Sequence, residues 1–126
     1  MGYMEPPPPS ARQIIESYGG GGFKVGGIRH SGSVLIFPDE TVAWPVAAAE
    51  EISLATLGPV LDRAESVRIL IIGCGRVIAQ QPMELTRELR AAGVGVEWMD
   101  TGAACRTFNV LLLEDREVAA ALIAVD

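Results

Sequence analysis

The chain has 126 residues, a length typical of one domain with its own hydrophobic core. Sixteen acidic residues outnumber ten basic ones, and the basic residues are scattered, so the composition argues against a nucleic-acid surface or a polybasic membrane surface. No apolar run reaches the roughly 18 residues that a bilayer-spanning helix needs, and no apolar secretion signal opens the chain. Because two cysteines also make no disulfide framework, we expect a soluble, cytoplasmic protein.

The N-terminal segment differs in composition from the rest of the chain. Residues 1–12 contain four consecutive prolines and almost nothing apolar, which predicts a disordered, polyproline-like tail before a single α/β domain over residues 13–126. Four consecutive glycines (19–22) then precede the strand-like Phe23-Lys24-Val25. A phosphate-binding loop needs a helix with Lys and Ser or Thr after its glycines. We therefore interpret these glycines as a flexible turn or bulge.

Three short strands are predicted in the first third of the chain, over residues 23–28, 33–37 and 41–44. Residues 30–32 and 38–40 are predicted to form the turns between them, because they contain Ser, Gly, Pro and Asp. Consecutive short strands joined by tight turns predict an N-terminal antiparallel β-meander.

After Pro45 the pattern changes to alternating helices and strands. Apolar residues recur at helical spacing between Ile52 and Leu61, which predicts a first helix with Ser53 as its N-cap. The nearly continuous apolar run over residues 67–72 predicts a strand that is covered on both faces.

A second helix is predicted to begin at Pro82 and to end at Gly93. Its predicted inner face comprises Met83, Leu85, Leu89 and Ala92. The strand over residues 94–99 follows. Because a single helix connects this strand with the one over residues 67–72, a right-handed crossover makes them parallel and adjacent.

A third helix is predicted after Asp100 or Thr101, either of which is a good N-cap. Its predicted inner face comprises Ala104, Phe108 and Leu111. The last apolar run, residues 118–125, has none of the charges with which edge strands block aggregation, so we expect a strand inside the sheet. Its alanines leave a helix open as the alternative.

The segments that follow the two parallel strands are the best candidate for a site. They lie at strand C-terminal ends, on the edge where open α/β sheets bind ligands. The N-terminal N–H groups of the third helix point to the same edge, which suits an anion. The predicted pocket comprises Gly73, Cys74, Gly75, Asp100, Thr101, Gly102, Cys105, Arg106 and Asn109.

Two known motifs match this edge only in part. The dinucleotide fingerprint needs a third glycine at position 78, which is Ile78, and a helix that starts sooner than Pro82. The tripeptide Asp100-Thr101-Gly102 also occurs in aspartic proteases, but those are all-β proteins that pair two such carboxylates. An acidic N-cap facing the helix dipole is the simpler interpretation.

The sequence does not assign a chemical role to the two cysteines or to the histidine. Cys105 near a helix N-terminus is a possible nucleophile, but a free cysteine is more often a small buried hydrophobe, and His30 is distant in sequence. Two cysteines and one histidine provide no ligand set with zinc spacing. We therefore predict neither a metal site nor a catalytic residue.

The chain resembles a family of small Mth-type domains of unknown function that includes mitochondrial respiratory complex I assembly factor 3. The likeness covers about residues 12–125. The matching residues are Tyr18-Gly19, Gly22-Phe23, Gly32 to Leu35, Trp44-Pro45, Gly73 to Gly75 and, most specifically, Met99 to Asn109.

The resemblance implies a layered single α/β domain. Its mixed, mostly parallel five-stranded sheet would have the C-terminal strand central and antiparallel to the rest. No enzymatic activity or cofactor is established for that family, so the resemblance implies no cofactor and favours a protein that is not an enzyme.

Two functional hypotheses follow. In the first, the chain is a protein-interaction or assembly-factor module with a protein partner, for respiratory or other membrane complexes. In the second, it binds a small molecule or anion, or is an enzyme, at the edge formed by residues 73–75 and 100–109. The first predicts an exposed apolar patch, and the second predicts a cleft into which Asp100 and Arg106 point.

Overall fold

The computed structural model of the chain describes residues 13–77 and 82–126. The predicted tail over residues 1–12 and the position Ile78 lie outside the described residues. Within the described ranges, the chain forms an α/β domain with two sheets and three α-helices, as the sequence predicts.

The first sheet is antiparallel and contains β1 (Ile15–Gly19), β2 (Gly22–Val25) and β3 (Ile28–Ser31) in that order. Two pairs of glycines connect them, residues 20–21 and 26–27. All four have φ between +56° and +84°, the backbone of tight two-residue hairpin turns. The turn predicted within residues 19–22 is confirmed at residues 20–21, whereas Gly19 and Gly22 belong to the flanking strands. The predicted strand over 23–28 ends earlier, at Val25, because Gly26 and Gly27 form a turn. The predicted turn over 30–32 is therefore wrong, since His30 and Ser31 belong to β3.

The second sheet has five strands in the order β5-β4-β8-β6-β7. The strands are β4 (Val34–Ile36), β5 (Thr41–Ala43), β6 (Ile69–Gly73), β7 (Gly95–Met99) and β8 (Val118–Leu122). The predicted meander is therefore divided between two sheets, because β4 pairs with β5 and β8 instead of with β3. The prediction that the strands over 67–72 and 94–99 are parallel neighbours is confirmed by the pairing of β6 with β7.

The C-terminal strand β8 is central, as expected, and the helical alternative for this run is wrong. Its orientation differs in part from the expectation. It is antiparallel to β4 but parallel to β6. Because β5 is antiparallel to β4, four strands run in one direction and β4 alone runs in the other. The sheet is thus mixed and mostly parallel, and its reversed strand is β4.

The helices are α1 (Gly58–Leu61), α2 (Met83–Ala91) and α3 (Thr101–Leu113), with a 3-10 helix at Ala49–Glu51. The predicted first helix is mostly wrong: Ser53 does accept a hydrogen bond from the Thr56 N–H, but only turns connect it to the short α1. In these described stretches, no helix has the length and apolarity that a bilayer crossing requires.

The five-stranded sheet buries both of its faces. One face packs against α2 and the segment around α1. The other face packs against α3 and the three-stranded sheet. Leu85 and Leu89 of α2 are buried as predicted, whereas Met83 and Ala92 are exposed. In α3, Ala104 and Phe108 are buried as predicted, and Leu112 is more deeply buried than Leu111.

Candidate functional site

Thr101 joins three chain segments where β6, β7 and β8 end. Its hydroxyl donates a hydrogen bond to the Ile123 carbonyl oxygen (2.8 Å) and accepts one from the Gly75 N–H (3.0 Å). Its own N–H donates to the Gly75 carbonyl oxygen (2.8 Å). The structure therefore brings Gly75 and Thr101 together. The hydroxyl of Thr101 is fully buried and its one donor is already used within the fold.

Asp100 is the N-cap of α3. Its Oδ1 atom accepts a hydrogen bond from the Ala103 N–H (2.8 Å), which satisfies one of the unpaired donors in the first helical turn. The strand-to-helix junction is packed closely on both sides. A Cβ atom on Gly73 would lie 3.0 Å from the Thr101 Cα, and one on Gly102 would lie 2.5 Å from the Tyr18 hydroxyl.

A cavity of about 340 Å³ opens beside this junction. It is lined by Tyr18, Gly75, Arg76, Asp100, Gly102, Val125 and Asp126. A second cavity of about 370 Å³ shares Gly75 and Arg76 and is also lined by Cys74. Arg76 and Tyr18 were not predicted as site residues. Arg76 directly follows Gly75, which is the sequence signal for it, whereas Tyr18 comes from the other sheet.

Both thiols are poorly suited to nucleophilic chemistry. Cys105 has an exposed fraction of 3% and packs with Phe108 in the core beneath α3. Burial raises the pKa of this thiol to about 12, an effect larger than the lowering by Arg106. Burial also raises the pKa of Cys74. Since the thiolate is the reactive form, neither group is activated.

Arg106 and Asn109 do not line the cavity beside Asp100. The side-chain amide of Asn109 accepts a hydrogen bond from the Ile15 N–H and donates one to the Ile15 carbonyl oxygen, both at 2.9 Å. Asn109 therefore attaches β1 to α3. Arg106 is exposed on the outer side of α3. The expected cleft thus contains Asp100, and its cation is Arg76 instead of Arg106.

A second open surface, separate from the cavity beside Asp100, lies between α3 and the strand β7. It is a groove of about 380 Å³, and we call it the β7 groove. Its lining comprises Ile69, Ile71, Arg90, Gly95, Val96, Glu97, Met99, Thr107 and Leu111. No pattern in the sequence predicts this groove. Among the described residues, no group of three His, Cys, Asp or Glu side chains is placed to hold a metal ion.

Comparison with known proteins identifies relatives over most of the chain. The sequence model of a protein family described as "Protein of unknown function (DUF498/DUF598)" matches residues 15–123. NADH dehydrogenase [ubiquinone] 1 alpha subcomplex assembly factor 3 of Danio rerio is 34% identical over 114 residues, which are 90% of this chain and 66% of the relative. An uncharacterized protein of Rhodobacter capsulatus is 38% identical over 109 residues, or 86% of this chain and 82% of the relative.

Solved structures of bacterial proteins share the fold. A protein described as an outer membrane protein of Bartonella henselae has a TM-score of 0.85 and 36% identity, covering 93% of this chain and 98% of its own. A Mth938-like domain of Bordetella pertussis has a TM-score of 0.81 and 28% identity, covering 98% and 92%. These matches confirm the resemblance drawn from the sequence. The chain spans less than two thirds of the animal assembly factor's length.

Proposed function

We infer the function of this protein from its family, because the chain belongs to the DUF498 family of proteins of unknown function and several of its relatives are named as assembly factors. We propose that it is a protein-interaction module that assists assembly of a membrane-bound complex, of which a respiratory NADH dehydrogenase is the leading candidate. We further propose that it acts in the bacterial cytoplasm.

The β7 groove is the observation that carries this proposal. Its apolar side chains include Met99 and Leu111, both only partly buried, and it lies on a sheet face that α3 leaves open beside β7. Apolar surface of this kind is typical of protein-binding sites. The junction at Thr101 and Asp100 is different, since its polar groups already bond within the fold. We therefore propose the β7 groove as a protein-binding surface, and we propose no catalytic role for the junction at Thr101 and Asp100.

Affinity capture from the native organism, followed by mass spectrometry, tests this proposal. We expect the wild-type protein to retain subunits of a membrane complex, and Leu111→Glu to lose them, because a carboxylate in the groove opposes apolar contacts. Leu113→Glu is the matched control, since Leu113 is on the same helix, is 62% exposed and is outside the groove. Equal capture by all three proteins, or capture of no membrane-complex subunit, would contradict the proposal.

The cavity beside Asp100 supports a second candidate function, the binding of a small polar molecule. It lies at the C-terminal edge of the parallel strands, where such sheets bind ligands. Its polar lining comprises Arg76, Tyr18, Asp100 and Asp126, and Arg76 forms an ion pair with Asp126 at 3.8 Å. A thermal-shift screen with anionic metabolites tests this candidate. We expect a stabilising ligand whose effect is lost in Arg76→Ala and kept in Arg106→Ala. Unchanged melting with every compound would count against it.

A further inference from the structure

Among the strands of residues 13–77 and 82–126, β7 pairs with β6 alone, so it forms one edge of the five-stranded sheet. The hydrogen bonds at its two ends show which of its residues direct their backbone N–H and C=O groups toward β6. The Gly95 N–H donates to the Arg68 carbonyl oxygen (2.9 Å), and the Met99 carbonyl oxygen accepts from the Cys74 N–H (2.8 Å). In a parallel pair, alternate residues direct their backbone groups to the same neighbour. Residues 95, 97 and 99 therefore face β6.

The other two residues of this strand, Val96 and Trp98, direct their N–H and C=O groups away from the sheet. Within residues 13–77 and 82–126, no hydrogen bond accounts for these four groups. A row of unpaired backbone groups is a template for a further strand. The side chains of both residues are buried against α2, and the Trp98 indole N–H donates to the Thr86 hydroxyl (2.9 Å). The edge is therefore held in position by a packed core.

The β7 groove lies beside this edge, on the sheet face where Gly95, Glu97 and Met99 project. Its floor is apolar and is formed by Ile69 and Ile71 of the neighbouring strand, with Leu111 of α3 as the far wall. An added strand would place every second side chain over this floor. The edge and the groove thus form one continuous surface for an extended segment.

Glu97 is the charged residue of the edge strand itself. It is the central residue of β7, its side chain is exposed into the groove, and it has no ion pair among the described residues. Arg90 also lines the groove, but from the helix α2. Only Glu97 would lie directly opposite a residue of an added strand, where side chains of opposite charge stabilise pairing and like charges oppose it.

The same carboxylate disfavours a second copy of this chain as the occupant. The outward groups at positions 96 and 98 pair most fully in a two-fold antiparallel arrangement centred on residue 97. That arrangement places the two Glu97 carboxylates directly opposite each other, at the shorter of the two antiparallel spacings. The net charge of −6 adds to this repulsion. Charge complementarity therefore selects a basic residue from a different protein.

We propose that β7 accepts an extended segment of a partner protein as a sixth strand of the sheet, with a Lys or Arg opposite Glu97 and apolar side chains two positions to either side of it in the β7 groove. This inference rests on the proposed function, since it specifies how the partner is bound. The charge opposite Glu97 selects the segment, and backbone hydrogen bonds to Val96 and Trp98 hold it.

Peptides of defined sequence test the inference directly. The probe is acetyl-Ser-Val-Thr-Lys-Thr-Val-Ser-amide, and its matched control has Glu in place of Lys. We expect NMR titration to show that the wild-type protein binds the Lys peptide about fivefold more tightly than the Glu peptide. Glu97→Lys should reverse this preference. Glu65→Lys, the same change at an exposed position outside the groove, should leave it unaltered.

Two further measurements separate strand addition from simple charge attraction. Hydrogen exchange of the Val96 and Trp98 amides should slow when the Lys peptide is bound, because these N–H groups gain acceptors. In an antiparallel added strand, the two Thr nitrogens are the donors opposite β7. A Lys peptide methylated at both keeps its charge but loses these donors, so its binding in that orientation should fall at least as far as that of the Glu peptide. Equal affinity for the Lys and Glu peptides, no binding of either, or unchanged exchange at these amides would overturn the inference.

The proposed function and the proposed strand addition can be contradicted independently of each other. If affinity capture recovers membrane-complex subunits that Leu111→Glu loses but Glu97→Lys retains, the protein-binding role stands and strand addition is wrong. If the peptides bind as expected but no such subunit is captured, the docking mode stands and the assembly role is wrong.

Discussion

The Thr101 hydroxyl donates a hydrogen bond to the Ile123 carbonyl oxygen at 2.8 Å, and so links the start of α3 to the chain that follows β8. Replacing Thr101 with Val keeps the shape but leaves this carbonyl and the Gly75 N–H without their partner. We expect Thr101→Val to lower the free energy of unfolding by about 2 kcal/mol, measured by urea denaturation. Thr101→Ser, which keeps the hydroxyl, should lose clearly less. Equal losses in the two variants would contradict this account.

Asn109 should be a structural residue, although the sequence suggested a pocket. Its two hydrogen bonds to Ile15 are the polar link between β1 and α3. Asn109→Ala should lower the free energy of unfolding by about 2 kcal/mol and speed hydrogen exchange at the Ile15 amide. Arg106→Ala on the same helix should change stability by less than about 0.5 kcal/mol, because the side chain is exposed. An Asn109→Ala protein with unchanged exchange at Ile15 would refute the role.

Gly22 is the first residue of β2 and lies against the backbone of β3. A Cβ atom at this position would collide with the His30 carbonyl oxygen, which belongs to the backbone and cannot rotate away. We expect Gly22→Ala to separate the two strands and to cost about 2 kcal/mol in thermal or urea unfolding. Gly58→Ala is the control, since a Cβ there meets nothing within 4 Å, and it should be neutral or slightly stabilising. A Gly22→Ala protein as stable as the wild type would show that the hairpin adjusts freely.

Cys105 should make the fold sensitive to alkaline pH. The folded protein holds the thiol pKa at about 12, against an ordinary value of 9.0, so the unfolded chain loses this proton first as the pH rises. The stabilising contribution is complete below pH 9. Between pH 9 and 12 the ratio of folded to unfolded protein should fall by up to about tenfold per pH unit on this account.

Urea denaturation across this pH range compares the wild type with Cys105→Ala, in which the other titrating groups are unchanged. The variant should lose stability less steeply with pH, whatever its stability at neutral pH. Parallel pH profiles for the two proteins would contradict the prediction. Slow alkylation of Cys105 at pH 7, relative to a model thiol, would agree with it.

The elements predicted best from the sequence are those whose pattern has one clear period. The apolar run that became β6, the helix after Pro82 and the capped helix after Asp100 all signal their structure locally. The first helix is shorter than predicted because Pro59 has no N–H with which to continue a helix that begins at Ser53, so only the short α1 forms, with Gly58 and Pro59 in its first turn. The strand β1 was missed because Glu16 and Ser17, in its middle, hide the alternation.

The candidate site was harder to predict than the fold, because it depends on distances between elements. Sequence position placed Gly75 and Thr101 at one edge, and the structure brings them together. Sequence position does not show which way the Asn109 side chain points, because the residue that it bonds, Ile15, is 94 residues away. The β7 groove depends on α3 lying over β6 and β8 with little contact to β7. No local pattern encodes that lateral placement.

The position of β8 has a consequence for synthesis on the ribosome. This strand pairs with β4 on one side and β6 on the other, yet it follows both in the chain. Before β8 is added, the pair β5-β4 and the pair β6-β7 have no strand between them, and the edges of β4 and β6 that face β8 lack their hydrogen-bond partner. Completion of the sheet therefore waits for β8, and a delay before β8 is available would prolong the period in which a chaperone can bind to these two edges.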